Sequence, residues 1–170
     1  MPACCCRAIE DAVKAGVQMH FAHVRCGFHN AAAARAAIAV CQRYGIAVIA
    51  DEGTLFGCVD EGFVGIPCPS HSQTDPAVAS LPAVAAVVQQ MGGWPAVQTA
   101  LRAVKSIADK HGVSMQSVVL RWQMDLGATP IALVPWHPAC KGFADAALFQ
   151  RTSFLDSEDL GALAAVCASE

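Results

Sequence analysis

The chain has 170 residues, a net charge of −3, and 55% hydrophobic against 15% charged residues. That length suits one domain with a sizeable core, and the composition excludes a disordered chain. The lack of a basic surplus argues against nucleic acid as a partner, and no apolar run approaches the roughly 18 residues of a membrane span.

Arg7 and Glu10 fall where a signal peptide would need its apolar centre, so an intracellular, cytoplasmic chain is expected. The nine cysteines are odd in number and follow no pairing pattern, which in such a chain reads as reduced, mostly buried thiols. Cys4, Cys5 and Cys6 are clustered as acylation substrates often are, but without an adjoining polybasic patch they read as helix-start packing.

Residues 5–15 read as a helix, with Ala8, Ile9, Ala12 and Val13 on one face and Gly16 closing it. A strand is expected over 17–25, then a helix over 31–44 with Asn30 as N-cap and Gly45 after it. The apolar run at 46–50 reads as a buried parallel strand, which sets an α/β rhythm. Residues 51–80 hold four glycines and three prolines and are too long for a plain connection, so a functional or mobile loop is expected.

A modest helix follows over 81–91. The best-marked stretch is 92–126. Pro95 opens a helix at a position where its missing N–H costs nothing, and Val97, Leu101, Val104 and Ile107 recur at helical spacing. Gly112 is its left-handed cap, and Ser114 caps a second helix carrying Val118, Val119, Trp122 and Met124. A third apolar strand is expected at 131–134 and a helix at 143–150. A last helix opens on Ser157, Glu158 and Asp159, with acidic residues at its positive end.

The stretch WPAVQTALRAVKSIADKHGVSMQSVVLRWQMDLGATPIALVP resembles the segment before the last barrel strand of aldo-keto reductases. That family's pattern there is a helix ending I-A-x-x-H-G-V-S, a helix with V-x-x-R-W, then a strand. AVKAGVQMHFAHV, AVCQRYGIAVIADEGTLFG and FLDSEDLGALAAV resemble the family's neighbouring steps, so the likeness spans nearly the whole chain. It implies a partial TIM (β/α)8 barrel in one 1–170 domain, the C-terminal half, with about three parallel strands and flanking helices. A full barrel takes about 250 residues. Three strands cannot close one, so a protein partner or self-association is expected over the open edges.

The resemblance also implies NADP(H)-dependent carbonyl reduction, but places the Tyr, Lys, Asp and His of catalysis in the other half. The single tyrosine, Tyr44, sits beside no matching motif, so no catalytic residue is expected here. The cofactor-side stretch is Glu52 to Gly57. Gly53, Leu55 and Gly57 match the pyrophosphate loop, while Glu52 replaces the aromatic that stacks on the nicotinamide and His23 aligns with a strand Gln. After the last strand, Lys141 and Asp145 are the remaining cofactor candidates. The turn there is Pro135-Trp136-His137-Pro138, with Gly142 in place of a basic residue and Ala146 in place of an Asn.

Read without the resemblance, His20, His23, Cys26 and His29 share a spacing of three and are weak metal candidates. A strand would send 20 and 26 to one side, 23 and 29 to the other. His71 is isolated in the long loop, His111 belongs to a helix end, Trp122 reads as core, and Arg121 as a surface or barrel-end ion-pair partner. Three readings follow: a reductase half that is inactive alone, a non-catalytic accessory or assembly subunit on the same fold, or a metal-binding module at 20–29.

Overall fold

The computed structural model describes residues 2–68, 82–131 and 152–167. Helix α1 (Pro2–Lys14) begins earlier than expected because proline suits a first helical turn, and Gly16, at φ +81°, closes it. Strand β1 (Phe21–Arg25) takes only the last five residues of the expected run. A short 3-10 turn, Phe28–Asn30, leads into α2 (Ala31–Arg43). Asn30 stands at the N-cap, but its Oδ1 accepts instead from the Gly27 N–H at 2.8 Å, which closes the 27–30 turn.

Strand β2 (Ala47–Asp51) pairs with β1 in parallel, Phe21 opposite Ala47 and Arg25 opposite Asp51. Strand β3 (Thr129–Pro130) pairs on its other side, Ile49 opposite Thr129, giving the order β1-β2-β3. It starts two residues before the expected 131. Pro130 is tolerated because an edge strand need not donate there, and the Ile131 N–H then bonds the Ala50 carbonyl at 2.6 Å. Residues 132–134 of the expected strand and the helix expected at 143–150 lie outside the described residues.

Two short 3-10 turns, Leu55–Gly57 and Glu61–Phe63, follow β2, and four more α-helices are described: α3 (Pro82–Gln90), α4 (Trp94–His111), α5 (Met115–Asp125) and α6 (Ser157–Val166). The end signals work as read. Gly112 caps α4 at φ +64°, and Ser114 Oγ accepts the Ser117 N–H at 3.1 Å to open α5. The cap of α6 is Asp156, one residue before Ser157.

Helix α2 packs on β1 and β2, α5 on β3, and α4 against α5 and α6. Between them lies a core of Cys26, Phe28, Ile38, Cys41, Val48, Ala50, Leu101, Val104, Val118 and Trp122. Phe28 and Trp122 meet with ring centroids 5.3 Å apart. Parallel sheets are ordinarily covered on both faces. Here Phe21 is 62% exposed, and on the same side of β1 the side chains of His23 and Arg25 are also exposed. This is an α/β half-barrel in which, among the described residues, one side of the first strand is left open.

Two contacts shape the rest. The long loop does not float over its first half: Gln98 accepts from the Gly65 N–H (2.6 Å) and donates to the Phe63 carbonyl (2.7 Å), while Trp94 Nε1 donates to the Ile66 carbonyl (2.9 Å). Residues 69–81, with His71, lie outside the described residues. At the other end, buried Asp159 of α6 accepts from Lys110 (2.8 Å) and contacts His111 Nε2 (2.7 Å), tying α6 to the C-terminus of α4.

Candidate functional site at the strand ends

In parallel α/β folds the ligand mouth lies beyond the carboxyl ends of the strands. Here β1 runs into Cys26-Gly27-Phe28-His29 and β2 into Glu52-Gly53. The Arg25–Asp51 register sets these two turns side by side. The Cys26 N–H donates to the Asp51 carbonyl at 3.0 Å. Gln123, wholly buried on α5, adds a clamp: its Nε2 donates to the Cys26 carbonyl (2.5 Å) and the Asp51 carbonyl (3.3 Å).

Both glycines are required by close approach. A Cβ on Gly53 would stand 2.5 Å from the Gln123 amide nitrogen, and one on Gly27 would stand 2.8 Å from the His29 ring. A larger residue at either place would have to push the Gln123 amide or the His29 ring aside. Two non-glycine residues nearby take left-handed backbone, Glu52 at φ +62° and Leu55 at φ +48°. Each costs about 1–2 kcal/mol, and strain of this kind gathers at functional sites.

A charged lattice covers the turns. His29, its side chain 4% exposed, places Nε2 3.2 Å from Glu52 Oε2. Arg25 Nε lies 3.3 Å from Glu52 Oε1, and His23 Nε2 lies 2.9 Å from Asp51 Oδ2. Burial holds the His29 pKa below its ordinary value, against the opposing pull of the Glu52 carboxylate. The imidazole is therefore neutral at pH 7. Since a carboxylate can only accept, Nε2 carries the proton and Nδ1 is an acceptor. Among the described residues three shielded polar atoms here have no hydrogen-bond partner: His29 Nδ1, Asp51 Oδ1 and Gln123 Oε1. Burial also pushes the Cys26 thiol up to about 11, which makes it an inert packed thiol and not a nucleophile.

Of the residues singled out from sequence, Gly53 is in this site and Gly57, at φ +91°, turns the chain beyond it. The Leu55 side chain is buried in the core, beside Cys58, Val87 and Trp94. Lys141, Asp145, the 135–138 turn, Gly142 and Ala146 lie outside the described residues. His20, His23, Cys26 and His29 are not brought together. His20 precedes β1 and Cys26 follows it, a separation of about 20 Å along an extended chain. His23 engages Asp51 and His29 engages Glu52. Among the described residues no group of three or more His, Cys, Asp or Glu is placed to hold a metal ion.

Tyr44 caps the end of α2 just ahead of β2, at the opposite end of the sheet from the mouth. Arg121 is an ion-pair residue as expected, bound to Asp125 at 2.8 Å, but is nearly buried; Trp122 is core. Gln123 and the His29–Glu52 pair were not legible as site residues. The available signal was a glutamine in an otherwise packed helix segment, and a glycine two residues past each of two paired strands.

A model of the aldo/keto reductase family matches residues 6–135, which takes in most of α1 and all of the sheet. Flagellar radial spoke protein 5 of Chlamydomonas reinhardtii is 35% identical over 179 aligned positions, covering 94% of this chain and 33% of that protein. The chain thus spans about a third of the length of this curated relative. Among the described residues no helix is long and apolar enough to cross a membrane. The family match over most of the chain, on a half-barrel of three parallel strands, places this protein in the aldo/keto reductase family.

Proposed function

We propose that this chain is a non-catalytic member of its family that serves as a structural subunit of a larger protein assembly. The observation that carries this reading is Glu52. At the position that resembles the family's nicotinamide-stacking aromatic stands a carboxylate, pinned by buried His29 and by Arg25. A fixed negative charge at that place opposes a polyanionic dinucleotide.

The loop after β2 adds to the misfit. The N–H groups of Leu55, Gly57, Cys58 and Val59 are used in bonds within the loop, so they are not offered to a pyrophosphate. The three unpartnered atoms are all acceptors, the wrong sense for phosphate oxygens. The residues described do not fit NADP(H). Nor does Tyr44, at the far end of the sheet, supply the acid of a carbonyl reduction.

The subunit half of the proposal draws on the relative, named as a flagellar radial spoke protein, and on the exposed side of β1 with Phe21 at its start. An apolar side chain this exposed beside paired charges suits burial against another protein. The test is sedimentation of the endogenous protein in a gentle native extract. The reading predicts that it travels in a particle many times its own mass and that the particle survives moderate salt. Recovery as a free monomer throughout the gradient would overturn it.

A further inference from the structure

We infer that the free edge of β1 is a self-association surface. A second copy of this chain adds its own β1 there, antiparallel, about a two-fold axis through His23. The inference deepens the subunit reading, on which it rests for the need to cover the open side of β1, and names what covers it.

The hydrogen-bond pattern identifies the edge. The Ala47 N–H bonds the His20 carbonyl and the Cys26 N–H bonds the Asp51 carbonyl, so the even-numbered residues of β1 turn their backbone groups to β2. Alternation sends the N–H and C=O of Phe21, His23 and Arg25 outward, where among the described residues they meet no partner. The same three residues stand on the open face: Phe21 is 62% exposed, and the side chains of His23 and Arg25 are 55% and 75% exposed. At the sheet's other edge the residue turned outward is Pro130, since the Ile131 N–H bonds the Ala50 carbonyl. Proline has no N–H to offer and blunts that edge. The edge of β1 carries no proline, no lysine and no bulge. The sheet can therefore grow on the β1 side.

Register and occupant follow from the side chains. In an antiparallel pair, residues that turn their backbone groups to each other exchange both bonds. Centring on His23 pairs that residue with itself and Phe21 with Arg25 of the second copy, so each aromatic ring faces a guanidinium. Centring on Arg25 would set two guanidiniums opposite each other. Centring on Phe21 would leave His23 and Arg25 facing residues outside the strand. A shift by one residue would call on backbone groups that β2 already holds. The edge is thus complementary to itself in one register, the property that a two-fold interface requires.

The experiment is sedimentation equilibrium of the pure 170-residue chain over a wide concentration range, with far-ultraviolet circular dichroism on each variant. The expected result is a reversible dimer with a dissociation constant on the order of micromolar, as suits one strand a side. Phe21→Lys sets a lysine opposite Arg25 twice over and should weaken the dimer roughly tenfold or more. Adding Arg25→Glu to Phe21→Lys turns that repulsion into two ion pairs and should restore most of the affinity. His23→Pro removes the central outward N–H without touching the β1–β2 ladder and should leave a folded monomer. A wild-type chain that stays monomeric at every concentration would overturn the inference and give the edge to a strand of another protein. A dimer unmoved by Phe21→Lys, or not restored by the charge pair, would overturn it as well. Should His23→Pro fail to fold, the Phe21→Lys series still decides, because position 21 is solvent-exposed. Each of these failures leaves the sedimentation of the endogenous particle untouched, so the dimer and the subunit reading fail separately.

Discussion

His29 Nε2 lies 3.2 Å from Glu52 Oε2, and that contact joins the turn after β1 to the turn after β2 across 23 residues of sequence. It holds a carboxylate in left-handed backbone at the mouth of the half-barrel. Replacing Glu52 by Leu leaves the His29 N–H buried without an acceptor. The expected loss is about 1–3 kcal/mol, measured as a lower midpoint of urea unfolding with an unchanged slope. Glu52→Gln, which keeps an acceptor, should lose markedly less.

Acid should weaken the fold in two windows. The folded pKa of His29 lies below its unfolded value near 6.5, so its neutral form is favoured by folding. Stability is full above that value and falls as pH drops from it towards the folded pKa, because only the unfolded chain takes up the proton. Asp159 is held at about 2 against an ordinary 3.8; burial pushes it up, but the Lys110 and His111 contacts outweigh that. Its contribution is present above 3.8 and is lost as pH falls towards 2. Chemical denaturation across pH should show both declines, and His29→Gln should flatten the upper one alone.

The α4–α6 clasp can be tested directly. Asp159→Asn removes the charge that Lys110 and His111 meet at 2.8 and 2.7 Å. A loss of about 1.5–3 kcal/mol is expected, the usual worth of hydrogen bonds to a buried charge. Since Asp159 also reaches back to the Asp156 N–H at 3.1 Å, the start of α6 should lose amide-exchange protection first.

Gly53 should resist even alanine. The added Cβ meets the Gln123 amide at 2.5 Å, and that amide is committed to two carbonyls. A cost of about 1–3 kcal/mol is expected for Gly53→Ala. The same change in a Gln123→Ala background should cost less, and the double-mutant cycle isolates the coupling.

The helices and their order were legible because their ends are written locally: Pro95 and Gly112 around α4, Ser114 before α5, Gly16 and Gly45 after α1 and α2. Strand ends were less so. β1 and β3 are set by which residues find a neighbour, a property of β2 as much as of their own sequence. The site was harder still. Gln123 stands 97 residues from the carbonyl it binds at Cys26, and nothing at either position announces the other. The histidine spacing over 20–29 drew attention to His29, whose partner Glu52 had been noted only as an odd replacement. Gly53 stood out as a place of close approach, and what approaches it among the described residues is the chain's own Gln123.

The most direct measurement is a steady-state reductase assay on the pure 170-residue chain, with NADPH and a reactive aldehyde, followed at the nicotinamide absorbance. The account predicts no turnover above the uncatalysed rate and no saturable quenching of NADPH fluorescence. NADPH-dependent reduction that rises in proportion to this chain would contradict it.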